Sequence, residues 1–68
     1  MSELLFLVEP DPDGGWTAQA VGASICTQAE TIDELEAVVR DAVACHFEAG
    51  ERPKLIRLHI VEDRVLAA

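Results

Sequence analysis

Basic side chains are scarce in this sequence: five Lys and Arg stand against 13 Asp and Glu in 68 residues, a formal net charge of -8. That shortage argues against a nucleic-acid binder, because affinity for a phosphate backbone comes mainly from Lys and Arg. The natural electrostatic complement is a basic partner. Cysteine is limited to Cys26 and Cys45. One pair is a thin framework for a disulfide-stapled secreted fold, so both are expected as free thiols in a cytoplasmic protein, behaving as small buried hydrophobes. No apolar run approaches the ~20 residues that span a bilayer. The opening MSELLFLVEP lacks the basic start and small-residue cleavage site of a secretory signal. Length is in short supply too. A domain of this size buries only ~60% of its unfolded surface, so it excludes most enzymes of ordinary size and predicts a single domain, residues 1–68, that forms a homodimer or higher oligomer.

What is present is apolar and patterned. Half of the residues are hydrophobic, and the mean hydropathy is positive, the opposite of a disordered acidic tail. Residues 3–9 form a short apolar run bounded by acids and predict a strand apolar on both faces, hence central in a sheet. The segment Pro10-Asp11-Pro12-Asp13-Gly14-Gly15 combines fixed φ, side-chain acceptors and positive φ, and predicts a hairpin loop. Residues 16–21 follow as a second strand, with Trp16, Ala18 and Ala20 on one face and Thr17, Gln19 and Val21 on the other. Gly22 ends it, and residues 23–27 are expected as a short third strand.

The strongest local signal is Thr31-Ile32-Asp33-Glu34, which has the spacing of a reciprocal capping box and places two acids at the positive end of a helix. Leu35, Val38, Val39, Ala42 and His46, flanked by Ile32 and Val43, make one apolar stripe. Gly50 and Pro53 end the helix, which is expected over residues 32–49. A final strand over residues 54–62 alternates Ile56, Leu58 and Ile60 against Leu55, Arg57, His59 and Val61. The order is β-β-β-α-β. A right-handed crossover lays the last strand parallel to the first, predicting an α+β fold with a four-stranded mixed sheet in the order 3-2-1-4 and one helix on one face. The other face then requires polar flanks or a second subunit.

The Phe-Leu-Val-Glu strand, the loop ending Asp-Gly-Gly-Trp, the following Thr-Ala-Gln-Ala, and Thr-Gln-Ala-Glu-Thr-Ile-Asp-Glu-Leu before the helix together resemble the HicB-like antitoxin superfamily, in particular its short stand-alone members. The resemblance runs from about Leu4 to Val61. It implies a module like a truncated ribonuclease-H core that neutralises a small basic mRNA-cleaving toxin. Many members add a DNA-binding domain after this module, and the few residues beyond the last strand leave no room for one here. Residues 21–27 differ from the Pro-Asp-Leu-Pro-Gly-Cys-like segment common in the family.

The candidate partner-binding residues are Glu9, Asp11, Asp13, Trp16 and Glu34. Glu9, Asp11 and Asp13, with Glu30, Asp33, Glu34 and Glu36, form an acidic group that reads either as a solubilising surface or as the landing site of a basic partner. Trp16 reads as core closure or as an interface anchor. No catalytic residue, cofactor or metal is expected. Strand one carries acids only at its ends, which leaves a magnesium site of ribonuclease-H type without its central ligand. Cys26, Cys45, His46 and His59 match no zinc-ligand spacing. His46 is expected as a core or interface histidine bonded to a carbonyl, and His59 as a residue facing out beside Arg57. Two further readings stay open: an oligomeric regulatory or ligand-binding module, and a residual hydrolase using Glu9, Asp13 and Glu34 with magnesium.

Overall fold

A computed structural model describes residues 3–62 and 64–68; Met1 and Ser2, the first two residues of the opening segment discussed above, lie outside them. The chain runs through β1 (Glu3–Pro10), β2 (Trp16–Ala20), β3 (Cys26–Ala29), α1 (Ile32–His46) and β4 (Leu55–Ile60). The sheet order is β3-β2-β1-β4. β1 pairs antiparallel with β2 and parallel with β4, and β2 pairs antiparallel with β3. The fold class, sheet order and single helix are those expected from the sequence.

Register explains the core. Phe6 lies opposite Ala20 and Val8 opposite Ala18, while Leu4, Phe6 and Val8 stand beside Ile56, Leu58 and Ile60. Side chains directly opposite share a face, so these residues form one apolar surface. α1 lays Leu35, Val39 and Val43 on it, and these three are buried with Leu4, Phe6, Val8, Ala18, Ala20 and Ile25. The backbone of α1 comes closest to β3 and β2. β4 therefore lies at the far edge from the helix, and Ile56 and Leu58 are only half-buried.

β1 runs one residue further than expected, through Pro10, and β2 stops one residue earlier, at Ala20; β3, α1 and β4 differ more. β3 spans Cys26–Ala29 rather than 23–27. The turn after β2 uses Gly22 at φ 89° and closes through the Ala20 N–H donating to the Ile25 carbonyl at 2.9 Å, so pairing with β2 begins only at Cys26. The helix ends at His46, not at residue 49. Phe47 leaves it in extended backbone, with its N–H on the Val43 carbonyl, and packs against the core. Arg52 reaches back to the carbonyls of Ala44 (3.0 Å) and Phe47 (3.4 Å), satisfying acceptors that every helix end leaves free. β4 is the shorter Leu55–Ile60, although the Val61 N–H still donates to Val8 at 2.8 Å.

Several side chains expected to be buried are exposed. Cys26 and Cys45 are both exposed free thiols: Cys26 pairs with Gln19 on the face away from α1, and Cys45 sits on the solvent side of the last helical turn. Val38 and His46 leave the stripe for solvent as well. His46 overhangs the helix end, where its ring meets Phe47 edge-on at 4.9 Å, and the phenyl takes the core position expected for the imidazole. His59 is exposed beside Arg57 as expected, and the Arg57 guanidinium donates to Glu3 Oε1 at 2.7 Å.

Candidate functional site

The loop between β1 and β2 is organised by Asp11. Its Oδ1 accepts from the Asp13 N–H at 2.9 Å and its Oδ2 from the Thr17 hydroxyl at 3.1 Å. Its backbone closes the turn, N–H to the Gly15 carbonyl and carbonyl from the Gly14 N–H, both at 3.0 Å. An aspartate that bonds the backbone two residues ahead is a turn-forming device, so one acid of the group has a structural task. Gly14 and Gly15 adopt φ of 105° and 80°. Gly15 also lies under β3: a Cβ there would stand 2.5 Å from the Ala29 carbonyl oxygen. This close approach joins the acidic loop to the segment Ala29-Glu30-Thr31 that leads into α1.

At the helix start Thr31 Oγ1 accepts from the Glu34 N–H at 3.1 Å. The return bond from Glu34 to the Thr31 amide is not formed among the described residues, so only half of the expected capping box is present. Glu34 is exposed and turns toward the loop instead. The outcome is an open depression of about 460 Å³ lined by Asp11, Asp13, Glu30 and Glu34, with Val38 on its rim and no Lys, Arg or His on its walls.

The expected partner-binding residues thus separate. Asp11, Asp13 and Glu34 come together. Glu9 does not: it is exposed on the opposite face of the sheet, beside Leu7, Thr17 and Gln19. Trp16 is half-buried and packs against the core, which favours core closure over an interface anchor. Gln28 was not singled out by sequence, and it joins the lining because β3 begins three residues later than its apolar content indicates. Along the chain the asymmetry is sharp: every Lys and Arg lies at position 40 or later, so residues 1–39 contain the whole formal net charge.

A protein of Archaeoglobus fulgidus named UPF0150 protein is 60% identical over 52 residues, covering 76% of this chain and 77% of that relative. A Thermotoga maritima protein of the same name is 37% identical over 65 residues, covering 96% of this chain and 91% of that relative. The chain belongs to the UPF0150 family. No family model matches it, and no solved structure matches it significantly. The UPF0150 name states no activity, and neither relative connects the chain to HicB proteins specifically.

In this UPF0150 chain no group of three or more His, Cys, Asp or Glu could hold a metal ion among the described residues. The set Glu9, Asp13 and Glu34 is divided between the two faces of the sheet. Cys26 and His59 lie on the sheet face away from α1, whereas Cys45 and His46 sit at the end of α1. Among the described residues no helix is long and apolar enough to cross a membrane.

Proposed function

We propose that this UPF0150 chain is a non-catalytic protein-interaction module that captures a small basic protein, in the manner of the HicB-like antitoxins its sequence resembles. The observation that carries this reading is the convergence of Asp13, Glu30 and Glu34 on one depression. Three carboxylates drawn from separate segments set up a field that a single surface acid does not. Asp13 and Glu34 are exposed, and neither carboxylate makes a hydrogen bond or ion pair among the described residues, so both are available to a guanidinium or ammonium group. Such a surface accelerates encounter with a basic partner at low salt and selects against acidic ones.

The test is co-expression with the product of an adjacent reading frame encoding a small basic protein. A stable complex that suppresses RNA cleavage by the basic protein is the expected result. Asp13→Asn, Glu30→Gln and Glu34→Gln combined should slow association roughly ten-fold at low salt and leave the circular dichroism spectrum unchanged. RNA cleavage that continues undiminished with the wild-type chain present would overturn the proposal, as would complex formation indifferent to both salt and the triple substitution.

A further inference from the structure

The free edge of β4 is a second feature that the acidic depression does not use. We infer that β4 pairs antiparallel with β4 of a second copy of this chain, about a two-fold axis at Leu58, so that the two four-stranded sheets continue as one.

Among the described residues β4 hydrogen-bonds only to β1 and forms one border of the sheet. The Val61 N–H points inward to Val8. Backbone groups alternate in direction along a strand, so Ile56, Leu58 and Ile60 present their N–H and C=O at the open border. Natural edges are blunted by charged side chains, proline, a bulge or a covering element, and the charges at this edge are Lys54 and Arg57, the latter held by Glu3. Here the six residues Leu55–Ile60 contain no proline or glycine. The helix lies nearer the other border, leaving beside β4 a groove of about 290 Å³ whose floor is Ile56, Leu58 and Ile60 and whose helical wall is Ile32 and Val39 with the ion-paired Glu36 and Arg40. Apolar side chains on and just after this strand are exposed: Leu55 is 64% exposed, Ile60 47% and Val61 37%. The opposite border, β3, is four residues long and carries Thr27 and Gln28.

Self-pairing has one register that suits both charge and shape. With Leu58 opposite itself, Ile56 meets Ile60 of the second copy, Leu55 meets Val61, and Lys54 meets Glu62. Each contact occurs twice by symmetry, since a two-fold interface is self-complementary. Arg57 falls opposite His59, with its guanidinium already held by Glu3. Moving the axis to Arg57 places two guanidiniums face to face and Lys54 against Ile60. Moving it to His59 places Ile56 against Glu62. A shift by one residue turns every apolar side chain to the wrong face. In the favoured register the side chains of the second β4 close each groove with aliphatic surface, and both helices stay on the same side of the joined sheet. The pairing is independent of the acidic depression, so it stands or falls separately from basic-partner capture.

Sedimentation of the full chain at micromolar concentration should give the mass of a dimer. Lys54→Glu should weaken self-association roughly ten-fold, because symmetry alters both ends of the interface at once. Adding Glu62→Lys should restore it, and both positions are exposed, so folding is spared. In a background with Cys26→Ser and Cys45→Ser, oxidation should link copies bearing Leu58→Cys, whose α-carbons meet within disulfide range, and should not link copies bearing Ile56→Cys. Amide exchange at Ile56, Leu58 and Ile60 should slow with rising protein concentration. A monomer mass overturns the inference. So does a dimer indifferent to Lys54→Glu, or one that oxidation links through Ile56→Cys.

Discussion

The two borders of the sheet differ in what covers them. At the β3 border α1 is seated on the strands, the adjoining β1–β2 loop is closed by side-chain hydrogen bonds of Asp11, and exposed Cys26 and Gln28 neighbour the acids of the loop and helix start. At the β4 border no helix is seated, the exposed groups are the aliphatic Leu55 and Ile60 beside Arg57 and His59, and the outer backbone of the strand is unpaired among the described residues. Both conditions have one cause. A helix is about 10 Å across and strands lie about 4.8 Å apart, so one helix covers roughly two strands of four. Seating α1 over β2 and β3 brings Glu30 and Glu34 to the Asp11–Gly15 loop and at the same time strips β4 of cover. The acidic depression and the bare apolar edge are two results of one packing choice.

The largest test of that contrast is Leu35→Ala. Leu35 is fully buried where α1 meets the sheet, and its truncation is expected to cost about 2–5 kcal/mol in urea unfolding monitored by circular dichroism. If the loss is instead within the range of a surface substitution, the helix does not hold the β3 border in the way described. Next comes Gly15→Ala, which meets both a positive φ and the Ala29 carbonyl. A cost of about 1–3 kcal/mol is expected, against a smaller one for Gly14→Ala, which has open space around its Cβ; equal costs would show that backbone conformation alone matters. Thr31→Ala removes the single bond of the helix cap and should cost about 1 kcal/mol, readable as a lower thermal midpoint. Smallest is Glu3→Gln at the β4 border. Its partner Arg57 is largely exposed, and exposed ion pairs contribute about 0–1 kcal/mol before screening by salt. A larger loss there would mean that the pair is sheltered, as a second copy on β4 would shelter it.

The legible parts of the fold were those carried by local chemistry. The alternation in residues 16–20 and 55–60 placed each side chain on its face. Thr31 marked the helix start because a threonine three residues before Glu34 can accept an orphan helix N–H, and the continuous apolar run of β1 announced a central strand. The helix end was misread because Gly50 resembles a stop signal, whereas Phe47, drawn to the core, and Arg52, binding the last carbonyls, end the helix earlier. β3 was misplaced because Ile25 looks like a strand residue. It is buried from the turn, and polar Thr27 and Gln28 continue the ladder. Asp11, Asp13 and Glu34 were identified as a group because loops and helix starts favour acids. Glu9 was joined to them by proximity in sequence, and its strand parity sends it to the other face.

By itself the sequence determined that this chain is small and acidic, with four strands and one helix in the order β-β-β-α-β, because propensity, periodicity and turn chemistry act over a few residues. Only the tertiary structure decided which acids share a depression, which cysteines and histidines reach solvent, and which edge is left open. Those outcomes depend on where one helix comes to rest on a sheet wider than itself, a contact between segments far apart in the chain.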